Sequence, residues 1–314
     1  MSDHLETLIN PRVLEQSVDI AKRFAPREPF RHVVIENFFS AEYANRLLAD
    51  FPQFERGNAR NEAGELGNKS TVERVRELSP SYRDLDELIK SSEFLRLIGK
   101  LTGIENLLYD PFYFGGGTHE NREGQDLDPH VDFNRHPIEN WHRRLNLIVY
   151  LNPEWQDGWG GSLEIHTDPR SDENRVELIT PLFNRCVIFE TTETSWHGFS
   201  RITLPDSCKN LSRRSIALYF YTTSRPADET ADTHSTIYVD RALPLHYVTG
   251  KTLRDADIEE LRILLKRRDQ HNQRLYRDIT GLNAQLESAV TALHAGRLGR
   301  LRYFAQRLRA RLRR

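Results

Sequence analysis

The sequence of 314 residues predicts a mostly β fold with flanking helices and a C-terminal helical extension. Between about 105 and 225, short segments rich in β-branched and aromatic residues alternate with clusters of Gly, Pro, Asp and Asn. No strand and helix patterns alternate there, which disfavours a parallel sheet. After residue 254 the chain is free of proline and highly charged. These observations predict an antiparallel sandwich or barrel followed by a helix.

Composition excludes several classes of protein. Lys and Arg total 44 against 46 for Asp and Glu, so we expect no nucleic-acid partner. Cys186 and Cys208 cannot build a disulfide framework or a cysteine zinc site. The longest apolar runs are too short for a transmembrane helix, and the polar N-terminus lacks a signal core. We therefore expect a cytoplasmic protein, with a peripheral position at the membrane as an alternative.

The first hundred residues mix helices with a strand. Residues 11–25 have a helical pattern, and RHVVIENFF (31–39) has the β-branched residues of a strand. Ser40 then stands at the N-cap of a second helix. Residues 54–72 are polar and indicate a loop. Residues 91–103 predict a helix that ends at its C-terminal glycine.

The second zone contains the candidate strands. They are NLLYDPFYFGG (106–116), RLNLIVYLN (144–152), GSLEIHT (161–167), RCVIFET (185–191) and RSIALYFYT (214–222). The turn clusters between them are GGGTHENREGQ (115–125), NPEWQDGWGG (152–161), TDPRSDEN (167–174) and TLPDSCKN (203–210).

The third zone has a heptad repeat. Residues at spacings of three and four form a seam that runs through Ile258, Leu261, Leu265, Arg268, Asn272, Leu275, Ile279, Leu282, Leu286, Ala289 and Leu293. A single amphipathic helix packed on its own domain accounts for this pattern, and so does a coiled coil that joins copies of the chain through 258–293.

The last residues are strongly basic. GRLGRLRYFAQRLRARLRR (296–314) contains arginine on most faces of a helix, leucine along one face and no acidic residue. A basic amphipathic helix at 297–314 suits an anionic membrane surface, an acidic polymer or a partner protein. The alternative is a solvated tail.

The residues that indicate chemistry lie in DLDPHVDFN and TSWHGFS. His130 and Asp132 are two residues apart, so in an extended segment both side chains point to the same side. His197 is the candidate third ligand. Two histidines and a carboxylate form the facial triad of non-haem Fe(II) oxygenases. Taken alone, a hydrogen-bonded loop pair and a core histidine explain these residues as well.

A carboxylate site is indicated further along the chain. Arg213 and Ser215 share one face of the strand 212–222, and a guanidinium with a neighbouring hydroxyl can hold a carboxylate. Tyr150 can add a phenol to the same group, although a half-buried strand tyrosine is the simpler interpretation.

Taken in order, the motifs resemble a known family. They are the HVD of 130–132, YLN (150–152), WGGSLEIH (159–166), WHG (196–198) and RRSIALYFY (213–221). Together they resemble the iron(II)/2-oxoglutarate dioxygenases of the prolyl 4-hydroxylase type, over roughly residues 30–225. The resemblance implies a double-stranded β-helix, or jelly-roll, core. It also implies hydroxylation of an unactivated C–H bond with release of succinate and CO2.

The resemblance assigns the site residues. It implies a metal site for Fe(II) formed by His130, Asp132 and His197. The far carboxylate of 2-oxoglutarate would be held by Arg213, assisted by Ser215 and Tyr150. Dioxygen is the remaining co-substrate, and ascorbate is a further candidate.

Two features depart from the family pattern. The interval from His197 to Arg213 is longer than usual, which predicts a longer hairpin formed by TLPDSCKN. Arg214 is adjacent and competes for the same role. Arg213 is preferred because it shares its face with Ser215 and lies three residues before the aliphatic Ile216, as in the family.

The predicted organisation has four parts. An N-terminal helical segment (1–29) precedes the dioxygenase domain (30–225), a linker (226–254) and the helical extension with its basic tail (255–314). The substrate stays open between protein prolyl side chains, amino acids and glycan or lipid-linked groups. Two other functions compete: a cupin-like metal enzyme that does not use 2-oxoglutarate, and a non-catalytic oligomeric scaffold that binds surfaces through its tail.

Overall fold

The structure is a computed structural model, and it describes residues 3–25, 28–56, 70–239, 243–244 and 246–294. The chain forms two compact units, Met1–Val239 and Asp240–Arg314. The predicted basic tail at 297–314 lies outside the described residues.

The helices and strands of the described residues follow in chain order. The helices are α1 (Asp3–Leu8), α2 (Pro11–Glu15), α3 (Ser17–Phe24), α4 (Ala41–Ala49), α5 (Pro80–Lys90), α6 (Ser92–Thr102) and α7 (Asp255–His294). The strands are β1 (His32–Ile35), β2 (Ser70–Val72), β3 (Leu108–Tyr109), β4 (Gly117–Asn121), β5 (Leu127–Val131), β6 (His142–Tyr150), β7 (Leu163–His166), β8 (Val176–Ile179), β9 (Cys186–Glu190), β10 (His197–Phe199), β11 (Arg213–Thr222) and β12 (Ile237–Tyr238).

The strands form two antiparallel sheets. The larger sheet has the order β1-β9-β6-β11-β4-β2, with β3 also paired to β11, and the smaller sheet has the order β12-β5-β10-β7-β8. From β4 to β11, successive strands change sheets at every connection except the β7–β8 hairpin. This alternation defines a jelly roll, so the predicted fold class is confirmed.

The larger sheet is buried on both faces, which explains the nearly continuous apolar character of its strands. On β6 and β11, one face packs against the helices through Leu145, Leu147, Val149, Ile216, Leu218 and Phe220. The other face points between the sheets, where Tyr150 of β6 packs with residues of β7 and β9. Burial of each large side chain contributes about 1.5–3 kcal/mol.

Helices α1 to α6 belong to the same core. Leu8, Val13, Ile20 and Phe24 of the first three helices are buried in one cluster with residues of α6. The predicted helix 11–25 is divided at Gln16, whose N–H caps α2 by donating to the Arg12 carbonyl. The predicted end of α6 at Gly103 is confirmed, because this glycine has φ 71° and adopts the left-handed C-cap conformation.

The predictions for two segments at the start of the second zone are wrong. The cluster 115–125 was expected as a turn, but Gly117–Asn121 form the fully buried strand β4 between β2 and β11. The sequence pattern did not indicate this strand because its residues are polar. They are buried all the same, as Glu120 shows, which accepts hydrogen bonds from Ser212 and Arg214. The candidate strand 106–116 is also mostly a loop, of which only Leu108–Tyr109 pair with a neighbour.

The segment between β10 and β11 differs from the expected hairpin as well. The two strands lie in different sheets, so residues 200–212 cross from one sheet to the other and include a 3-10 turn at Asp206–Cys208. The crossing accounts for the long interval between His197 and Arg213. In the segment expected as a linker, Ile237–Tyr238 pair with β5 as β12. The proposed boundaries at 29, 225 and 254 stay predictions.

The second unit contains the 40-residue helix α7. Hydrogen bonds from Lys251 and from the backbone N–H of Arg254 hold the pKa of Asp257 at about 2 against its tendency to rise on burial, so this carboxylate is ionised near the helix start. In the described part of the chain, no helix combines the length and the apolar character needed to cross a bilayer.

We expect Gly117→Ala to destabilise the protein more than Gly124→Ala. Both glycines have positive φ, 92° and 79°, so both changes add backbone strain of about 1–2 kcal/mol. A Cβ at position 117 would also lie only 2.1 Å from the Val72 carbonyl oxygen, whereas nothing lies within 4 Å at position 124. Urea unfolding measures the difference, and equal losses would contradict the close approach of β2 to β4.

Candidate active site

Two strands of the smaller sheet bring the predicted metal ligands together. Strands β5 and β10 pair with His130 opposite His197, and Asp132 follows the end of β5 on the same side as His130. The carboxylate lies 3.8 Å from Nε2 of His130 and 3.5 Å from Nε2 of His197. One ligand atom from each residue fits within 4.8 Å of the other two. The described residues hold no second group of this kind.

The backbone fixes the orientation of both imidazoles. Nδ1 of His130 lies 2.9 Å from the Asp128 carbonyl, and Nδ1 of His197 lies 2.8 Å from the Ser195 carbonyl. A carbonyl can only accept, so each Nδ1 carries the proton and each Nε2 presents a lone pair. Both rings are therefore prepared as metal ligands.

The third ligand is an ionised carboxylate in a buried place. Burial alone would raise the pKa of Asp132, but the charge of Arg143, helped by the hydrogen bond from Asn146, outweighs it and holds that pKa well below its usual value. Arg143 approaches Asp132 at 3.1 Å, and the Asn146 amide donates to it at 2.7 Å. The carboxylate is thus kept charged and oriented.

Burial also keeps one histidine neutral. Desolvation lowers the pKa of His197 below its ordinary value, despite the opposing effect of Asp132. Neutral imidazoles with a fixed carboxylate are the donor set of a 2-His-1-carboxylate Fe(II) site. The residues present therefore fit the metal that the resemblance implies.

A cavity of 820 Å³ opens over this site. It is lined from the larger sheet by one face of β11, which consists of Arg213, Ser215, Ala217 and Tyr219. Asn146 and Ile148 of β6 line it as well, and the triad forms the opposite wall. The predicted face of Arg213 and Ser215 thus meets the metal ligands across the two sheets.

Arg213 is a buried cation inside this cavity. Its Nε donates to the Gly161 carbonyl at 2.6 Å, and Nη2 donates to the Tyr150 hydroxyl at 3.2 Å. The guanidinium also lies over the Phe199 ring, 4.3 Å from its centroid. Among the described residues, no carboxylate pairs with it, and burial lowers the pKa of this arginine. A buried cation without an anionic partner is costly, so the pocket fits an anionic ligand.

The side chain of Arg214 lies in a different environment from that of Arg213. Its Nε lies 3.4 Å from Glu120, and 38% of its side chain is exposed. Its guanidinium does not line the cavity. The geometry therefore favours Arg213 over Arg214 as the carboxylate anchor.

Tyr150 and Ser215 lie close to Arg213. Tyr150 is fully buried, and burial raises its pKa, so the phenol is protonated. Ser215 is opposite Tyr150 in the β6–β11 register and lines the cavity. The roles that the resemblance implies for these residues stay predictions.

Three residues at the site escaped the sequence analysis. Arg143 contacts Asp132 directly, with Tyr219 against its guanidinium at 3.6 Å. Asn146 lies on the same β6 face as Tyr150, so strand alternation could have indicated it. Tyr238 of β12 is opposite His130 and lines the cavity, and no pattern in the sequence signals a strand there.

In the described part of the chain, a jelly roll thus places two histidines and an aspartate opposite a buried arginine that has no anionic partner. This is the arrangement expected of a metal-dependent oxygenase that uses an anionic co-substrate. Residues 116–221 match the family model of the 2OG-Fe(II) oxygenase superfamily. The match supports the predicted class, a 2-oxoglutarate- and Fe(II)-dependent dioxygenase, and with it the expectation of Fe(II), 2-oxoglutarate and O2 as cofactors.

Curated relatives include prolyl 3-hydroxylases. The chain is 25% identical over 214 residues to prolyl 3-hydroxylase OGFOD1 of Mus musculus, an alignment that covers 62% of this chain and 33% of the relative. It is 33% identical over 69 residues to the Xenopus laevis protein of the same name, covering 21% of this chain and 14% of that protein. The chain therefore spans a third or less of these relatives.

The solved structures that the chain matches include a prolyl hydroxylase from Trichoplax adhaerens in complex with a hypoxia inducible factor peptide. It is 16% identical, with a TM-score of 0.47, and the match covers 68% of this chain and 93% of that one. A prolyl 4-hydroxylase from Phytophthora capsici is 17% identical, with a TM-score of 0.45, and the match covers 85% and 75% of the two chains.

We expect His197→Ala to lose Fe(II)-dependent turnover of 2-oxoglutarate, because one of three metal ligands is removed. His166→Ala is the matched control, since this buried histidine of the same sheet contacts Glu164 and Asn174 rather than the triad. Succinate release by the purified, iron-supplemented proteins is the measurement. Turnover retained in His197→Ala would disprove the triad assignment.

We expect Arg213→Ala to weaken binding of 2-oxoglutarate about 30-fold or more, since a buried charged partner of a carboxylate is worth about 2–5 kcal/mol. Arg214→Ala should change it less than about threefold, because that guanidinium lies outside the cavity. Anaerobic titration with Fe(II) and 2-oxoglutarate, followed by the visible band of the chelate, gives both constants. The reverse order of effects would reassign the anchor to Arg214.

Proposed function

We propose that the protein is an Fe(II)- and 2-oxoglutarate-dependent hydroxylase that acts on prolyl residues of a peptide or protein. The observation that carries this proposal is a cavity in which the metal triad faces Arg213, a buried arginine that has no anionic partner among the described residues. A cupin-like metal enzyme that does not use 2-oxoglutarate would have no need for this buried arginine. The scaffold alternative is not favoured, because it gives no role to a buried and pre-oriented triad.

The residues of the chain prepare the site for this reaction. His130, Asp132 and His197 would hold Fe(II), which supplies oxidative decarboxylation of 2-oxoglutarate to succinate and CO2 coupled to hydroxylation of a C–H bond. Arg213 and the Tyr150 phenol orient the far carboxylate of the co-substrate by hydrogen bonds. Burial of these groups limits access of water, which strengthens each electrostatic contact.

The proposal of a prolyl substrate is based on the curated relatives. Two curated relatives are named prolyl 3-hydroxylases, and the sequence motifs resemble the prolyl 4-hydroxylase type. These similarities support proline as the substrate residue and leave the ring carbon to experiment. Free amino acids and glycan or lipid-linked groups are the competing acceptors.

Incubation of the iron-supplemented protein with 2-oxoglutarate and a library of proline-containing peptides should add one oxygen atom to a proline. Succinate should form in equal amount, because the two oxidations are coupled. Mass spectrometry of the peptides locates the oxygen, and His197→Ala serves as the inactive control. Oxygen addition to amino acids or glycan acceptors, but to no peptide, would contradict the prolyl proposal.

We further propose that α7 joins two copies of the chain as a coiled coil. Several apolar residues of its seam are exposed, with exposed fractions of 50% for Leu265, 55% for Leu275 and 64% for Leu282. Asn272 occupies a seam position, where one polar residue selects register and oligomeric state. Asp269 follows the seam residue Arg268 and flanks the seam. In a parallel dimer, Arg268 of one copy would therefore lie beside Asp269 of the other, which brings opposite charges together.

We expect Leu282→Asp to lower the mass of the protein in solution, because a charge in the seam cannot be desolvated. Ala284→Asp is the matched control, since it adds the same charge two residues later, off the seam. Multi-angle light scattering measures both. A monomeric wild type, or equal masses for all three proteins, would contradict the coiled coil.

We propose a cytoplasmic location, with contact to an anionic membrane surface or acidic polymer through 297–314. The sequence supports it through a leucine face and a series of arginines without acidic residues. Sedimentation with vesicles that contain phosphatidylserine, compared with neutral vesicles, tests the membrane surface.

A further inference from the structure

Each imidazole of the metal site contacts a further aromatic ring. The rings of His130 and His197 have their centroids 4.3 Å apart. The Phe189 ring lies 4.7 Å from that of His197, and the Tyr238 ring lies 5.2 Å from that of His130. Centroid distances of about 4.5–7 Å are those of aromatic side chains in contact. Phe189 thus supports one metal ligand, and Tyr238 supports the other.

The two supporting rings are held very differently. Phe189 is fully buried on β9, which has β1 on one side and β6 on the other. Tyr238 is half-buried on β12, a strand of two residues at the edge of the smaller sheet in the described part of the chain. Short edge strands open locally at a lower free energy than central strands. The support of His130 therefore depends on what holds the chain after β11.

That chain is fixed where it leaves β11. We call residues 225–239 the strap. Arg225 donates from Nη1 to the Thr191 carbonyl at 2.8 Å, and the Glu229 carboxylate lies 3.3 Å from both Arg144 and Arg225. The side chains of these two arginines are only 8% and 6% exposed. The first turn of the strap is thus attached to buried charges of the jelly roll.

Further along, the strap is attached on both sides of the HVD motif. The Asn134 amide donates to the Asp232 carbonyl at 2.8 Å and accepts from the His234 N–H at 3.1 Å. Asn134 follows the metal ligand Asp132 by two residues. The N–H of Val239 donates at 2.8 Å to the carbonyl of Pro129, which directly precedes His130. The strap therefore lies along the segment that provides two of the three metal ligands.

The ring contact supplies what the hydrogen bond of His130 does not. Tyr238 is opposite His130 in the register of β12 and β5, so both side chains lie on the cavity side of the sheet. The bond from Nδ1 of His130 to the Asp128 carbonyl fixes one edge of the imidazole and leaves its tilt open. A ring against the face of the imidazole restricts this tilt, and with it the direction of the Nε2 lone pair.

We propose that Tyr238 is a positioning residue for the metal ligand His130, and that the strap holds its ring in place. The proposal rests on the Fe(II) site of the proposed function and adds a residue outside the triad on which metal affinity depends. The ring has this role rather than the hydroxyl, because the ring is the part that contacts the imidazole. Residues that orient a metal ligand affect affinity without binding the metal themselves.

The test measures metal binding and co-substrate binding separately on the full chain under anaerobic conditions. Calorimetric titration with Fe(II) alone gives the dissociation constant of the metal. Tyr238→Ala should weaken Fe(II) binding about tenfold, as the loss of a residue that orients a metal ligand does. Tyr238→Phe should restore binding to about the value of the wild type, because it keeps the ring.

Binding of 2-oxoglutarate to the protein saturated with Fe(II) should be nearly unchanged in both variants. Its anchor Arg213 belongs to the facing sheet and has no contact with the strap among its hydrogen bonds. The visible band of the chelate gives this second constant. General damage to the fold would weaken both constants, so equal losses in the two titrations would contradict the positioning role.

Ile237→Ala is the matched control. Ile237 precedes Tyr238 on the same strand, is 37% exposed and does not line the cavity. It should bind Fe(II) like the wild type. Unchanged Fe(II) binding in Tyr238→Ala, or the same loss in Ile237→Ala or Tyr238→Phe as in Tyr238→Ala, would overturn the proposal.

A second variant tests the strap itself. Asn134→Ala removes both hydrogen bonds to Asp232 and His234 and should weaken Fe(II) binding in the same direction. Combined with Tyr238→Ala it should add little further loss, because both changes act on the position of one ring. Full additivity of the two losses would contradict a strap that acts through Tyr238.

The same titrations separate this inference from the proposed function. If the wild type binds Fe(II) and 2-oxoglutarate but Tyr238→Ala equals it, the positioning role fails and the enzyme class stands. If the wild type binds no Fe(II), the proposed function fails together with this inference. Thermal unfolding of each variant confirms that it is folded.

Discussion

The site depends on the buried ion pair between Arg143 and Asp132. A carboxylate taken out of water without a partner costs several kcal/mol and would take up a proton instead, which would remove it as a metal ligand. Arg143 lies 3.1 Å from Asp132, and Asn146 holds both residues by hydrogen bonds. Because Arg143 and Asn146 belong to the larger sheet and Asp132 follows a strand of the smaller one, this contact also fixes the distance between the sheets where the cavity lies.

The jelly-roll connectivity explains how distant residues meet at this pair. Strands β5 and β10 are neighbours in the smaller sheet although β6 to β9 lie between them in sequence. Their register sets His130 against His197, and the period of two in an extended chain places Asp132 beside His130. The carbonyls of Asp128 and Ser195, each two residues before its histidine, orient both rings in the same way. The geometry therefore follows from strand register and local backbone, with little need for loop structure.

The same reasoning shows why some of the site was predictable from sequence and some was not. His130 and Asp132 follow from strand alternation, and the face of Arg213 and Ser215 follows from the same rule on β11. The contact of Arg143 with Asp132 could not be predicted, because Arg143 is next to Arg144 and the sequence pattern does not tell which guanidinium faces the cavity. Strand β4 was hidden because its buried residues are polar and are satisfied by partners on β11, such as Arg214 for Glu120. Where tertiary hydrogen bonds replace apolar burial, periodicity gives no signal.

The two buried arginines of the cavity differ in what balances their charge. Arg143 has its counterion within the chain, and its contacts with Asn146 and Tyr219 keep it in one position. Arg213 has only neutral partners among the described residues, the Gly161 carbonyl and the Tyr150 phenol. The desolvation cost of Arg213 is thus offset only when an anion enters, while Asp132 is balanced beforehand. The two facing sheets thus present charges of opposite sign: Arg213 suits the carboxylate of an anion, whereas Asp132 with the two histidines suits a metal cation.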